Sequence, residues 1–232
     1  MASKLILEIA VESAAAAQAA ERGGADRVEL CADLRCGGVT PSAELMRQTR
    51  AAVTVPIHAM IRPRVGDFCY TGEEFAAMKQ AVDVARALGM NGVVLGSLRS
   101  DRAVDRERTK ELVERANPMN VTFHRAFDAC RNLGKSMDEV IETGADRILT
   151  SGGEPDVVSG LKTLGELVEA AGQRVIIMPG GGLSPENFAE VRRVTKATEY
   201  HSGLGTVLPY GSCDLIRFEE LVRNLAVVKE NG

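Results

Sequence analysis

Nowhere in the 232 residues does an uninterrupted apolar run reach the roughly 18 positions a membrane-spanning helix requires, which excludes a helical span. A basic excess is also missing: 28 Lys and Arg stand against 32 Asp and Glu, for a net charge of −4. Neither nucleic acid nor an anionic membrane surface is therefore expected as a partner. No CxxC pair occurs among the five cysteines, Cys31, Cys36, Cys69, Cys130 and Cys213. An odd, scattered set of this kind reads as free thiols in a reducing compartment and points to the cytoplasm. The stretch from Lys4 to Ala17 could pass for a secretory leader, but Glu8 and Glu12 break its apolar centre. Linkers, charge runs and low-complexity tracts are absent as well, so residues 1–232 are expected to form a single domain. A chain of this length buries roughly 70–75% of its unfolded surface and needs no disulfide or structural metal to hold it together.

What the chain does contain is a regular alternation. Short β-branched runs at about 4–10, 27–31, 56–61, 92–96, 120–125, 146–150, 174–178 and 198–202 read as eight strands, each followed by a helix-patterned stretch. Thr71-Gly-Glu-Glu74 and Ser136-Met-Asp-Glu139 have the form of capping boxes, and Ser184-Pro185 that of a cap followed by proline at the first helical position. Gly23, Gly89, Gly144 and Gly172 fall where helices should stop. Eight strand-helix units imply parallel strands with right-handed crossovers and predict an α/β fold, a (β/α)8 TIM barrel. A doubly wound sheet is the alternative, yet Ala10-Val-Glu-Ser after the first strand lacks the glycine-rich turn such a fold carries. Gly24-Ala-Asp-Arg27 recurs as Gly144-Ala-Asp-Arg147, which fits either a half-barrel duplication or two similar helix-to-strand turns.

In such a barrel the active site forms where the strands end. Period-two alternation sets Glu8, Glu29, His58, Arg62, Thr122, His124, Thr150, Glu199 and His201 opposite apolar neighbours. The outer face packs on helices, so the polar set should point inward, with each histidine in the last part of its strand. All three histidines of the chain belong to it. A lone histidine is ordinarily a hydrogen-bonded core residue, but three that converge suggest proton shuttles, with Glu8 and Glu29 orienting them or serving as base. The same carboxylates can hold a hard cation, although no His-x-x-x-His or Asp-x-Asp spacing supports one.

Three loops complete the expected mouth. Arg62 and Arg64 flank a proline after the third strand and offer forks for a carboxylate or phosphate, or alternatively pair with Asp67. Arg125 and Asp128 follow the fifth strand and can equally form a self-satisfied salt bridge. Gly180, Gly181 and Gly182 after the seventh strand free backbone N–H groups, and the helix capped by Ser184 should aim its positive end at the same spot. Ser202 opens the eighth loop and joins this expected anion site. The resulting enzymatic reading is acid–base chemistry on a small anionic or phosphorylated metabolite, with the reaction class open.

The segments VELCADLRCGGVTPS (28–42), PIHAMIRPRVGDFCYTGEEF (56–75), VTFHRAFDAC (121–130), ADRILTSGG (145–153) and EYHSGLG (199–205) resemble the copper homeostasis protein CutC family. The resemblance implies a cytoplasmic (β/α)8 barrel, a homodimer, and a proposed role in binding copper as Cu(I). It carries family positions onto Glu8, Glu29, His58, Arg62, Arg64, Asp67, His124, Arg125, Asp128 and His201, and onto Cys31 and Cys69 as metal ligands, with His58 or Met60 as candidate further donors. One departure weakens the copper site. Family members often place a cysteine directly after the Leu-Glu-Ile of the first strand, where this chain has Ala10, and Cu(I) asks for two or three soft donors.

Overall fold

The computed structural model describes residues 5–205, 208 and 214–231. Cys213 lies outside the described residues. The elements run β1 (Ile6–Val11), α1 (Ala14–Gly23), β2 (Arg27–Leu30), α2 (Ala43–Ala52), β3 (Ile57–Met60), α3 (Gly72–Ala87), β4 (Gly92–Leu95) and α4 (Arg106–Ala116). They continue with β5 (Asn120–Phe123), α5 (Leu133–Thr143), β6 (Arg147–Thr150), α6 (Leu161–Ala171), β7 (Ile176–Pro179), α7 (Phe188–Thr195), β8 (Glu199–Ser202) and α8 (Leu215–Asn231). All eight strands are parallel, each beside its sequence neighbour, and β1 pairs with β8. A backbone bridge between Gly180 and His201 joins β7 to β8 and closes the ring. The expected (β/α)8 barrel is the observed fold. Among the described residues, no helix is long and apolar enough to cross a membrane.

Side-chain parity divides the barrel wall. Leu7 and Ile9, Val28 and Leu30, Ile57, Val93 and Leu95, Val121 and Phe123, Ile148 and Tyr200 face the helices and form one apolar cluster with them. The interior is different. Cys31, Met60 and Val94 make a small separate apolar patch there, and buried charged or polar groups fill the rest. Thr150 does not belong with them: in β6 it is Arg147 that reaches inward, to Glu199 and Thr122, so Thr150 takes the opposite parity and bonds Asp128 instead.

The recurring Gly-Ala-Asp-Arg turns do the same work twice. Gly24 and Gly144 adopt positive φ (97° and 84°) where α1 and α5 end, a conformation glycine takes without penalty. Asp26 and Asp146 then each latch back onto a strand. Asp26 Oδ2 accepts the Leu7 N–H at 2.9 Å, and Asp146 Oδ2 accepts that of Val121 at 2.7 Å. The arginines that follow, Arg27 and Arg147, enter the barrel and converge on Glu199.

Two helix starts differ from the sequence expectation. The Thr71–Glu74 capping box is present, but α5 starts at Leu133, because the Asn132 side chain accepts the Lys135 N–H at 2.9 Å. Starting there sets Leu133, Met137 and Val140 along the core-facing side, and Ser136 becomes an interior residue of the helix. After β7, Asn187 captures both the Ser184 N–H and the Gly182 carbonyl at 2.9 Å, and α7 begins only at Phe188. The Ser184 side chain is therefore not the cap of α7, whose first residue lies six positions beyond Gly182.

Candidate functional site at the barrel mouth

A ladder of ion pairs spans the interior. Arg27 bonds Glu8 at 2.5 Å and Glu199 at 2.6 Å, and Arg147 reaches Glu199 at 3.1 Å. Buried carboxylates and guanidiniums survive only when paired this closely. Above them, Glu8 Oε1 holds His201 Nδ1 at 2.7 Å, which turns His201 Nε2 towards Glu29 Oε2, 3.9 Å away. The Cys31 thiol donates to Glu29 Oε2 at 3.3 Å, whereas Glu29 Oε1 has no partner. The register explains the grouping: β1 sets Glu8 beside Arg27 on one side and His201 on the other, and Ala10 beside Glu29.

Strand β4 contributes space rather than groups. A Cβ at Gly92 would sit 2.5–2.6 Å from His58 Cδ2 and Nε2, and one at Gly96 would sit 2.7 Å from His124 Nδ1. A glycine at the start of the strand and another directly after its end are the sequence signal for such a close approach. His58 is the second residue of β3, so it lies deep among the ion pairs, 3.7 Å from Glu8, rather than in the last part of its strand. His124 and His201 lie higher, on the wall of a cavity of about 470 Å3. Ala10, Glu29, Met60, Arg62, Phe68, Arg125, Gly181 and Gly182 line the same cavity, as does the turn from Leu34 to Gly37. A larger groove of about 620 Å3 lies at the opposite end of the barrel, among the helix-to-strand turns around Gly144, Gly172 and Lys196.

The environment sorts the titratable groups. Burial alone would raise Glu8, but Arg27, then the His201 hydrogen bond and charge, hold its carboxyl well below the ordinary range. For Glu29 burial prevails and the carboxyl is pushed up, despite His201 nearby. Burial opposes charge on His201, yet Glu29 and Glu8 overcome it and raise the imidazole above its usual value. His58 and His124 are driven down to about 3, chiefly by burial, with Arg27 and Arg147 adding to it for His58 and Arg62 for His124. Burial, then Glu29, keeps the Cys31 thiol protonated far above the usual range. Of the three histidines, only His201 is thus poised to carry a proton, between two carboxylates of opposite tendency.

The remaining expected groups divide between the mouth and its supports. Arg62 lies on the cavity wall, but its terminal nitrogens donate to the carbonyls of Cys36, Gly38 and Gly66, which orders the rim. Arg64 lies outside the cavity and is committed to Asp67 and Glu74 at 2.8 and 2.6 Å, the salt-bridge alternative. Asp128 is saturated by Arg125, Thr150 and the N–H groups of Ser151 and Gly153, and so acts as a clamp. Arg125 keeps Nη1 against Gly181, 2.8 Å from where a Cβ would lie. Gly180 spends its N–H on Thr150, while Gly181 and Gly182, at φ 105° and 75°, remain on the cavity wall. Ser202 donates to the Leu183 carbonyl at 2.6 Å and ties the last two loops together rather than facing a ligand. Cys31 packs inside the barrel with Met60, whereas Cys69 packs against the outer core, so the structure does not bring the two thiols to one place.

Sequence reasoning missed Arg27 and Arg147, which sit at the first positions of their strands, and the apolar wall that Leu34 and Phe68 supply beside Met60. The donor atoms of Glu8, Glu29 and His201 all lie within 4.8 Å of one another, so this trio can hold a cation. Two carboxylates and an imidazole suit a borderline or hard divalent ion better than Cu(I).

Fold and site together define a (β/α)8 barrel with a ligand-sized mouth over a charged interior. The chain belongs to the CutC family, whose family model matches residues 5–206. A CutC family protein of Agrobacterium fabrum is 45% identical over 206 residues, covering 89% of this chain and 82% of that one. The CutC copper homeostasis protein of Streptococcus agalactiae superposes with a TM-score of 0.81 at 30% identity, covering 85% and 98% of the two chains. A phosphoribosylanthranilate isomerase of Thermotoga maritima, at TM-score 0.63, 15% identity and 95% and 98% coverage, shares the fold alone.

Proposed function

We propose that the mouth of this barrel binds a small anionic, phosphorylated metabolite and moves a proton on it. The observation that carries the reading is one cavity wall holding both the Gly181–Gly182 turn beside Arg125 and the buried Glu29–His201 pair. Successive backbone N–H groups at positive φ form an anion nest, and Arg125 stands next to it. Glu29 and His201 supply a carboxyl and an imidazole within one proton's reach of a bound substrate, with Glu8 steering the imidazole and Arg62 offsetting negative charge. Thermal unfolding with inorganic phosphate and a panel of sugar phosphates tests this. A ligand at a hundred times its Kd adds about 2.7 kcal/mol of stability, and Gly181→Asp should abolish that gain. If no phosphate compound raises the melting temperature, the reading fails.

A second reading follows from the family: the chain binds copper. It is favoured by Cys31 and Met60, which pack together on the inner wall, and by the Glu8, Glu29 and His201 donors beside them. Ala10 removes one soft donor from that wall. Metal analysis of chelator-free protein, followed by anaerobic Cu(I) titration of wild type and Cys31→Ser, decides it: equal affinities in the two proteins discard Cys31 as a ligand, and no binding discards the reading. Residence in the cytoplasm and a homodimeric state belong to the same family-based proposal; sedimentation equilibrium checks the second.

A further inference from the structure

His124 directly follows β5 and caps the 3-10 turn Arg125–Ala129, its Nδ1 accepting the Ala126 N–H at 3.2 Å. An amide nitrogen can only donate, so Nδ1 carries the lone pair and the ring proton sits on Nε2. That Nε2 is buried and makes no hydrogen bond within the protein, although His124 lines the cavity. The ring cannot swing away: the bare Gly96 backbone lies against its Nδ1 edge, and Phe68 packs on it with centroids 5.0 Å apart. A buried donor left unpaired has given up its hydrogen bonds to water with nothing in return, a deficit that an acceptor on a bound ligand removes.

We propose that His124 is a fixed neutral hydrogen-bond donor that reads an unprotonated carbonyl or carboxylate oxygen on the ligand of the mouth. The inference rests on the ligand-binding reading above and adds a second recognition point to it, at a different residue from the Gly181–Gly182 turn. It also replaces the expectation that all three histidines shuttle protons. His124 cannot take a proton at Nδ1 without releasing the Ala126 amide, so it polarises an oxygen and transfers nothing. Burial and the neighbouring Arg62 charge, which keep the ring neutral, agree with this role, and Arg62 favours an oxygen that bears or gains negative charge. No bond is made or broken at His124.

The full chain with 15N-labelled histidine gives three imidazole spin systems, one for each histidine. At neutral pH, the long-range 1H–15N spectrum should show His124 protonated at Nε2 and bare at Nδ1. Titration with pyruvate, which has both oxygens, should shift that Nε2–H signal; acetate and hydroxyacetone, each with one of them, identify which oxygen is read. Two variants separate the roles. His124→Asn keeps an acceptor for the Ala126 N–H but loses the far donor, so it should melt near wild type and bind pyruvate at least about tenfold more weakly. His124→Gln keeps a donor at that reach and should retain most of the affinity. An Nδ1–H tautomer, an imidazolium at neutral pH, a signal unmoved by all three probes at decimolar concentration, or wild-type affinity in His124→Asn would each overturn the proposal. Stabilisation by inorganic phosphate, abolished by Gly181→Asp, is read separately, so the two readings fail independently.

Discussion

Arg27→Met removes the cation shared by Glu8 and Glu199 while keeping much of the side-chain volume. Both contacts are almost fully buried, with Arg27 7% exposed and the two carboxylates 0% and 9%. Breaking a buried pair by removing one partner costs about 3–5 kcal/mol. Glu199 keeps Arg147 and Glu8 keeps His201, so the lower end, about 3 kcal/mol, is expected. At about 2–4 °C per kcal/mol for a chain of this size, the melting temperature should fall by about 6–12 °C.

The pH dependence gives the sharper check on Arg27→Met. In the wild type the lowered Glu8 contributes stability that is present above its unfolded value and is lost as pH falls through its folded one. Without Arg27, burial dominates and the Glu8 carboxyl is raised, so protonating it relieves the variant. The gap between the two proteins should therefore narrow as pH falls from neutral towards 5. Calorimetry at both pH values measures it. A fall of less than about 2 °C, or a gap that widens in acid, would refute the ion-pair account.

Gly92→Ala should drive a methyl into His58 and cost about 1–3 kcal/mol by overpacking, read as a lower urea midpoint with an unchanged m-value. His124, held near 3, contributes stability that is present above its unfolded value near 6.5 and is lost as pH falls below it, by roughly 1.4 kcal/mol per pH unit. His124→Asn should accordingly show a shallower acid slope in pH-dependent unfolding. Alkylation followed by peptide mapping should label the exposed Cys36 in the native protein and leave the buried Cys31 unlabelled until the chain unfolds; rapid labelling of Cys31 would contradict its place inside the barrel.

Much of the barrel was legible because each strand writes its period into the sequence, and Glu8, Glu29, His58, His124 and His201 follow from parity alone. Helix starts were legible where one residue competes for the role, as at Thr71, and not where an asparagine does, as at Asn132 and Asn187. The ion-pair floor was hidden for a different reason. Arg27 and Glu199 are 172 positions apart, and a guanidinium on the first residue of a strand looks like an ordinary turn charge. Loop residues have no period, so Arg62 and Arg64, alike in sequence, fell on opposite sides of the rim. Gly92 and Gly96, at the start of β4 and just past its end, drew no notice in the sequence, whereas they are the room that two imidazoles occupy.

The single Gly180–His201 bridge has a mechanical consequence. Every other pair of adjacent strands is stitched at two or more registers, so the wall is least reinforced between β7 and β8. At that join the side-chain bond from Ser202 to the Leu183 carbonyl takes over from backbone pairing, so the seam beside His201 and the glycine turn is held by one ladder bridge and one hydroxyl.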